Sequence, residues 1–457
     1  MPAETVTAHR NIVYATAARF APPVRTAQHV VRDTAVQCPQ VPGLLETAMG
    51  TGSLEMTEDC LTLNVFAPSA ALSRDVSGSG LPVLVWIHGG AFTNGTANAS
   101  WYDGSNLAAR GCVVVGINYR LGSFGFTGRS DIGLLDQIAA LEWVRDNIAR
   151  FGGDADNVTI FGESAGGCSV LALMAAPAAA TLFHRAWAMS PSIGQLRTVD
   201  RADQSQQLLI QELGATNLTD AHRSTVEEIV AAQGRTLRDP KDIVTMFSPT
   251  IGGEVLPLDA HQRVHRDRRP LVIGTLRDES RLWVAMNPAA ANLTEAEVRT
   301  HFADRFGADA ERAWKSYSEL RPGSSPAQML AALQSDESFR APAWRVIDGR
   351  DQAGSPTWSY FFTWPTPVFG GVLGACHGLD IPFVFDNITV PGVEMFIGQS
   401  PAHRPIADAL AGALTNFART GEAPWHSTDS KRTAWQIDER TDVLVDPERA
   451  LYDLWNR

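Results

Sequence analysis

The sequence predicts a doubly wound α/β fold, in which a mostly parallel central sheet is flanked by helices. Between residues 82 and 175 the apolar segments follow the order strand, strand, helix, strand, helix, which is typical of parallel strands joined by helical crossovers. The strand segments are nearly continuous apolar runs, as expected where both faces of a strand are buried. Since 457 residues can form one large domain of this class, we expect a single domain over residues 1–457.

The individual elements follow from apolar spacing and from the residues that interrupt it. Prolines break residues 11–68 into short extended pieces, although residues 61–66 alternate like a strand. Residues 82–87 and 112–117 are predicted as buried strands, and the apolar positions of residues 133–150 fall on one face of a helix. The remaining predictions are strands at 158–161, 186–189, 270–275 and 357–364, and helices within 201–235, 294–350 and 404–419.

A serine lies at the junction between the strand at 158–161 and the helix that follows it. Residues 162–166 read Gly-Glu-Ser-Ala-Gly, which matches the G-x-S-x-G nucleophile elbow of α/β-hydrolases. Gly162 and Gly166 are required because this turn is too tight for a Cβ beside the serine backbone. The flanking strand and helix make the match much more specific than five residues alone. We therefore predict an α/β-hydrolase fold with Ser164 as nucleophile.

A serine hydroxyl needs a neighbouring base at neutral pH, and α/β-hydrolases supply an acid and then a histidine later in the chain. His377 stands between glycines within residues 374–378, in a loop flexible enough to reach the serine. Asp278 and Glu279 follow the strand at 270–275, at the carboxyl end where such sheets keep their chemistry. Spacing alone leaves Glu279, Asp278 and Asp380 as competing acids.

A glycine-rich segment after the first buried strand is a candidate oxyanion hole. Residues 88–92 read His-Gly-Gly-Ala-Phe, and the N–H groups of Gly89, Gly90 and Ala91 can point at a developing negative charge, together with that of Ala165. The alternative is a plain glycine turn at the end of a strand. An elbow farther along the same sheet favours the oxyanion hole.

Composition and charge exclude several classes of function. A content of 44% hydrophobic and 19% charged residues indicates a folded protein with a large core. The net charge of −12 disfavours nucleic acid and anionic membranes as partners, and the apolar runs are too short to span a bilayer. Without a signal-peptide pattern at the N-terminus, and with five scattered cysteines, we expect a cytoplasmic protein that needs no metal or cofactor.

Several sequence blocks in order resemble the type-B carboxylesterase family, which includes cholinesterases and bacterial p-nitrobenzyl esterases. The resemblance covers nearly the whole chain, and blocks of this length in the same order are highly specific. It implies a bacterial serine carboxylesterase with the α/β-hydrolase fold, in which helical insertions, including about residues 281–350, wall the active site. Besides the elbow, the blocks are Glu-Asp-Cys-Leu-Thr-Leu-Asn-Val at 58–65, Asn-Tyr-Arg-Leu-Gly at 118–122, Gly-Leu-Leu-Asp-Gln at 133–137 and Phe-Gly-Gly-Asp at 151–154.

The resemblance also assigns roles to single residues. Ser164, Glu279 and His377 are implied as the catalytic triad, because Glu279 matches the glutamate of the family's Asp-Glu-Gly block. The implied oxyanion donors are mainly the N–H groups of Gly90, Ala91 and Ala165. Further implied contacts are ion pairs of Arg19 with Glu58 and of Arg120 with Asp154, and a disulfide between Cys38 and Cys60 that could stay reduced in the cytoplasm.

Two departures from the family pattern affect the expected site. The family's Ser-Gly-Ser after the next strand is Ser190-Pro191-Ser192 here, which leaves open how Ser192 could support the acid. The segment from Cys38 to Cys60 contains no tryptophan, where cholinesterases place an indole for the choline group. Without an aromatic face for a quaternary ammonium, a choline ester is disfavoured as substrate.

The leading hypothesis is a serine carboxylesterase that cleaves small, largely uncharged carboxylic esters through an acyl-enzyme on Ser164. His377 would act as general base and acid, and Glu279 would orient it. A carbamate or amide hydrolase, or an acyltransferase, could use the same triad. A catalytically inactive binding scaffold has the least support, because all three triad residues are present. The natural ester, and whether the protein is a monomer or a homodimer, stay open.

Overall fold

An eleven-stranded sheet runs through the protein, in a computed structural model that describes residues 5–72, 80–237 and 246–456. The strands are β1 Val6–Thr16, β2 Val24–Val31, β3 Val36–Gln37, β4 Glu55–Met56, β5 Thr62–Pro68, β6 Leu81–Ile87, β7 Val113–Ile117, β8 Gly153–Glu163, β9 Arg185–Met189, β10 Leu271–Leu276, β11 Thr357–Phe362, β12 Ala434–Ile437 and β13 Asp442–Leu444. Their order across the sheet is β13-β12-β11-β10-β9-β8-β6-β7-β5-β1-β2, and β3 and β4 form a separate pair.

The middle of this sheet is parallel and its two ends are antiparallel. Strands β7, β6, β8, β9, β10, β11 and β12 pair in parallel, whereas β5, β1 and β2 at one end and β13 at the other pair antiparallel. All carboxyl ends of the central strands therefore meet at one edge, where loops from distant parts of the chain can combine into one site.

Two apolar layers cover the two faces of the sheet, because successive side chains of a strand point to opposite faces. In β6, Val83 and Val85 belong to one buried cluster, and Leu84 and Trp86 belong to the other. The helices are α1 Leu44–Ala48, α2 Ser105–Ala108, α3 Gly122–Phe126, α4 Ile132–Asn147, α5 Ala165–Ala175, α6 Val199–Glu212, α7 Leu218–Ala221, α8 Val226–Thr236, α9 Ala260–Arg266, α10 Arg281–Met286, α11 Glu295–Phe306, α12 Ala310–Leu320, α13 Pro326–Ser335, α14 Ala341–Gln352, α15 Ile381–Val384, α16 Glu394–Ile397, α17 His403–Thr420 and α18 Arg449–Trp455.

Helices α4 and α5 pack on one face of the sheet and α17 packs on the other, which gives the doubly wound arrangement. The predicted central strands and helices all occur, with ends shifted by a few residues. The N-terminal region differs from the prediction, because residues 6–16 form one long strand rather than short pieces. That strand is harder to recognise because its register slips between His9 and Ile12, so the alternation of its side chains is interrupted. Within the described ranges, no helix combines the length and the apolar character that a membrane crossing needs.

Candidate active site

Ser164 lies at a sharp turn between β8 and α5, as the elbow motif predicts. Its backbone angles are φ 58° and ψ −120°, a strained conformation for a residue that carries a Cβ. The turn is held from both sides, since the Ser164 N–H donates to Met189 O at 3.0 Å and the Cys168 N–H donates to Ser164 O at 2.8 Å. A Cβ on Gly166 would overlap the carbonyl oxygen of Ile87, so only glycine fits there.

Glu279 follows the end of β10 and holds the imidazole of His377. Its Oε2 lies 2.6 Å from His377 Nδ1, and both side chains are buried. Its Oε1 accepts hydrogen bonds from the Ser190 hydroxyl at 2.6 Å and from the Leu276 N–H at 2.8 Å. The carboxylate is thus fixed at both oxygens, and it fixes the proton of the imidazole on Nδ1.

The other two acids that the sequence left open bind elsewhere. Asp278 accepts a hydrogen bond from the Ala375 N–H at 3.0 Å and pairs with Arg281 at 3.2 Å. Asp380 accepts a hydrogen bond from the Tyr360 hydroxyl at 2.7 Å. Burial, with the nearby Glu163, raises the pKa of Asp380 from its usual 3.8 to about 8. Of the three carboxyl groups, only Glu279 makes a hydrogen bond with the His377 ring.

The second ring nitrogen of His377 lies beside Glu163, the residue that precedes Ser164. His377 Nε2 is 3.0 Å from Glu163 Oε1, but the two atoms are not aligned as donor and acceptor. Among the hydrogen bonds of the described residues, none joins Ser164 Oγ to His377 Nε2. Burial lowers the pKa of His377, and the charges of Glu163 and Glu279 outweigh it, so that its pKa is raised from 6.5 to about 10.

Two aromatic side chains from the helical region after β10 cover the imidazole. The ring centroids of Phe339 and Trp283 lie 4.6 Å and 4.9 Å from that of His377. Phe339 stands on a π-helical turn at Asp336–Arg340 and is buried, whereas Trp283 on α10 is 46% exposed. The prediction that this region walls the site could not name these side chains, because no motif marks them in the sequence.

The glycine-rich segment after β6 packs directly against the elbow. An ideal Cβ on Gly89 would lie 2.8 Å from Glu163 O and 3.1 Å from Ser164 Cβ, so this close approach requires glycine. Among the described residues, no backbone hydrogen bond uses the N–H groups of Gly90, Ala91 or Ala165. These three groups are therefore free to bind a negative oxygen beside Ser164.

His88 stabilises the glycine-rich segment, a role that no sequence motif indicates. Its Nδ1 donates to Gly89 O at 2.8 Å, and its ring stacks on Tyr119 with 4.5 Å between centroids. Burial lowers the pKa of His88 to about 4, although its bond to Gly89 opposes the shift. The neutral ring therefore keeps this hydrogen bond throughout the neutral range of pH.

The serine that supports the acid is Ser190 rather than Ser192. The sequence pattern left open how a serine after a proline could reach the carboxylate. The structure shows that Ser190 has φ 41° at the end of β9, which turns its hydroxyl toward Glu279. Pro191 therefore does not disturb the support of the acid.

One of the two implied ion pairs is wrong. The Arg19 guanidinium binds Glu58 as expected, with 2.9 Å from Nε to Oε2. Arg120, however, pairs with Asp136 on α4, at 2.7 Å and 2.8 Å, and not with Asp154. Arg120 follows the carboxyl end of β7, whereas Asp154 lies near the amino end of β8. Since β6 pairs in parallel with both strands, these residues stand at opposite edges of the sheet.

Cys38 and Cys60 are buried as free thiols, so the implied disulfide is not formed. The Cys38 sulfur accepts a hydrogen bond from the Leu121 N–H at 3.2 Å. A hydrogen bond with Cys38, together with burial, raises the pKa of the Cys60 thiol well above its usual value. The two sulfurs thus lie side by side in the reduced form.

Comparison with known proteins places this geometry in a family. The sequence model of the carboxylesterase family matches residues 2–444. The para-nitrobenzyl esterase of Bacillus subtilis is 34% identical over 430 residues, which cover 90% of this chain and 83% of that protein. The phenmedipham hydrolase of Pseudarthrobacter oxydans is 31% identical over 435 residues, covering 92% and 86% of the two chains.

Solved structures agree with these sequence matches. The carboxylesterase EST55 of Geobacillus stearothermophilus superposes with a TM-score of 0.84 at 32% identity, covering 98% of this chain and 96% of the other. A thermophilic PNB esterase gives a TM-score of 0.81 at 31% identity, with the same coverage. The predicted fold, a mostly parallel sheet flanked by helices, is thereby confirmed.

Proposed function

The chain belongs to the carboxylesterase family and is a serine carboxylesterase, and from this premise we propose that Ser164, His377 and Glu279 carry out the hydrolysis of small, largely uncharged esters. The observation that carries the proposal is the Glu279–His377 pair at 2.6 Å, whose free ring nitrogen reaches the residue beside Ser164. A nucleophile, a base and a group that orients the base are the parts that acyl transfer to a serine requires.

In the first half of the proposed reaction, Ser164 Oγ attacks the ester carbonyl carbon and its proton passes to His377 Nε2. For this transfer the imidazole must come within hydrogen-bond reach of the hydroxyl, and such bonds often close only when substrate is bound. The proton then passes from Nε2 to the leaving alcohol oxygen as the ester bond breaks. The acyl group stays on Ser164.

In the second half, water attacks the acyl carbon and gives its proton to His377, which returns it to Ser164 as the acid leaves. In both halves the carbonyl oxygen carries a negative charge in the tetrahedral intermediate. The N–H groups of Gly90, Ala91 and Ala165, which have no backbone acceptor among the described residues, would bind this oxygen. Glu279 stabilises the imidazolium that forms in each half.

The preference for uncharged groups is supported by the covering of the imidazole. Phe339 and the half-exposed Trp283 present aromatic surface beside His377. Such a surface binds acyl or alkyl groups by burial of apolar area. Small aryl or alkyl esters therefore fit this side of the site.

The proposal is tested by Ser164→Ala in an assay with p-nitrophenyl butyrate. We expect kcat to fall by about a thousandfold or more, because the nucleophile is lost, while the melting temperature stays close to that of the wild type. Ser318→Ala is the control. It removes a hydroxyl from helix α12 that donates to Trp314 O, and it should keep full activity. Wild-type turnover by Ser164→Ala would refute the assignment.

A further inference from the structure

Each proposed oxyanion donor shares a rigid peptide unit with the carbonyl of the residue before it. Because a peptide unit is planar and trans, its C=O and N–H point in opposite directions, and holding the carbonyl fixes the direction of the N–H. The Gly89 carbonyl accepts a hydrogen bond from His88 Nδ1, and this bond fixes the direction of the Gly90 N–H. The Ser164 carbonyl accepts a hydrogen bond from the Cys168 N–H, which in the same way fixes the direction of the Ala165 N–H.

The third donor, the Ala91 N–H, depends in the same way on the Gly90 carbonyl. The Gly90 carbonyl accepts hydrogen bonds from the backbone N–H groups of Thr93 and Asn94, at 2.9 Å and 3.0 Å. The side chain of Asn94 also faces the Gly90 carbonyl. With the amide nitrogen directed toward its acceptors, this nitrogen lies 2.8 Å from Gly90 O and 3.2 Å from Glu46 Oε1. Asn94 therefore contacts the Gly90 carbonyl with both its backbone and its side chain.

Glu46 brings a separate segment of the chain to this point. It lies on α1, within the segment between Cys38 and Cys60, and its side chain is partly buried. The same segment also contacts the glycine-rich loop at Gly95, the residue after Asn94. The Gln40 side chain forms two hydrogen bonds with the backbone of Gly95, at 2.6 Å and 3.0 Å. The loop that carries the oxyanion donors is thus fixed from outside at two adjacent residues.

We infer that Glu46 and Asn94 form a positioning pair that orients the Ala91 N–H in the oxyanion hole. Glu46 accepts one hydrogen of the Asn94 amide, so the other hydrogen stays directed at Gly90 O. This deepens the proposed function and rests on it, because the pair contacts the hole and not the substrate. Loss of the pair leaves the Ala91 N–H in place but less well aimed, which weakens binding of the oxyanion more than binding of the ester.

Asn94→Ala and Glu46→Gln test the pair with p-nitrophenyl butyrate as substrate. We expect Asn94→Ala to lower kcat by about 10- to 100-fold, somewhat less than the loss of a whole oxyanion donor, with little change in KM. Glu46→Gln should stay near wild type, because the glutamine oxygen can still accept from Asn94. The kcat of Glu46→Ala should lie between those of Glu46→Gln and Asn94→Ala. The double variant, Glu46→Ala with Asn94→Ala, should have a kcat no lower than that of Asn94→Ala alone.

A trifluoromethyl ketone separates positioning from stability. Its carbonyl carbon bonds to Ser164 Oγ, the serine proton passes to His377, and the carbonyl oxygen becomes an oxyanion in the hole. We expect the inhibition constant of Asn94→Ala for this ketone to rise by the same factor as kcat falls. Asn98→Ala is the matched control, since the Asn98 amide donates to Val36 O of β3 at 2.9 Å. This variant should leave both values unchanged even if the protein melts at a lower temperature.

The outcomes distinguish the pair from the triad. If Asn94→Ala keeps wild-type kcat and ketone affinity while Ser164→Ala is inactive, the positioning role is wrong and the proposed function stands. If Ser164→Ala is active, the proposed function itself fails. If Asn94→Ala and Asn98→Ala lose activity equally, the effect of Asn94 is on folding and the inference is overturned.

Discussion

In the proposed mechanism, the surroundings of His377 set the pH range in which the enzyme is active. This histidine must be neutral to accept the serine proton, so the rate falls as the pH drops below its pKa. Glu163 and Glu279 raise that pKa above the usual histidine value against the effect of burial. The acid limb of the pH–rate profile, where activity falls with falling pH, is therefore expected above pH 6.5, the unperturbed pKa of histidine.

Replacing Glu163 by glutamine removes one of the two charges that raise the pKa of His377. The imidazole should then lose its proton at lower pH, so the acid limb of the kcat/KM profile of Glu163→Gln should shift to lower pH than in the wild type. The profile measured with p-nitrophenyl acetate checks this. Glu319→Gln on the surface of α12 should leave the limb in place, and an upward or absent shift for Glu163→Gln contradicts the assigned electrostatics.

The choice of acid can be tested on two adjacent residues. Glu279→Gln should lower kcat by about 10² to 10⁴, because the amide neither fixes the tautomer nor stabilises the imidazolium. Asp278→Asn should have a much smaller effect, since that carboxylate binds Ala375 N and Arg281 instead of the ring. The ratio of the two kcat values, measured in one assay, decides which carboxylate orients His377. A larger loss for Asp278→Asn would show that the wrong carboxylate was assigned.

At this scale the sequence predicted the candidate residues but not all of their contacts. Ser164 and His377 could be proposed from a strand-ending motif and a glycine-flanked loop, whereas Glu279 was separated from Asp278 and Asp380 only by the family resemblance. The contact of His377 with Glu163, the support of Glu279 by Ser190 and the covering by Phe339 depend on side-chain packing between segments far apart in sequence. No local pattern encodes such packing.

At the scale of elements, the elbow illustrates a prediction that depends on local sterics. The G-x-S-x-G spacing, with a strand before it and a helix after it, predicted the turn correctly because Gly166 meets backbone atoms of the neighbouring strand. A Cβ at Gly166 would overlap Ile87 O and lie 2.9 Å from His88 O. By contrast, the π-helical turn at Asp336–Arg340, which lies between α13 and α14, could not be predicted, because no sequence motif marks such a turn.

The steric account of the elbow is tested by Gly166→Ala. The added methyl group must displace the end of β6. Overpacking of a core costs about 1–3 kcal/mol of stability, and the shift also moves the glycine-rich segment that follows β6. We expect a lower melting temperature together with a loss of kcat. Gly234→Ala in α8 is the matched control, since nothing lies within 4 Å of its added Cβ. Equal behaviour of the two variants would contradict the steric reason given for Gly166.

At the scale of the whole molecule, the sheet collects residues that are far apart in sequence. Glu279 and His377 are separated by 98 positions, yet both follow elements whose carboxyl ends lie at the same edge. The same topology explains the error over Arg120. The family resemblance implied Asp154 as its partner, but the strand direction puts Asp154 at the other edge of the sheet, and Arg120 pairs with Asp136 instead.

The Arg120–Asp136 pair connects α4 to the segment after β1, because Arg120 also donates to Ala21 O at 2.8 Å. Both side chains are buried, so Asp136→Ala leaves a buried charge without its partner. We expect a loss of about 3–5 kcal/mol in the free energy of unfolding, measured by urea denaturation. Asp203→Ala, which removes an exposed partner of Arg129, should leave the transition nearly unchanged. Similar transitions for the two variants would contradict the structural role of the buried pair.

The central claim is that Ser164 is the residue that becomes acylated, and covalent labelling tests it most directly. Diethyl p-nitrophenyl phosphate transfers its diethylphosphoryl group to an activated serine and releases p-nitrophenolate. After labelling, digestion and mass spectrometry should locate one diethylphosphoryl group on the peptide that contains Ser164, in step with the loss of esterase activity, and Ser164→Ala should take up none. Stoichiometric labelling of any other residue, with the same loss of activity, would contradict the account.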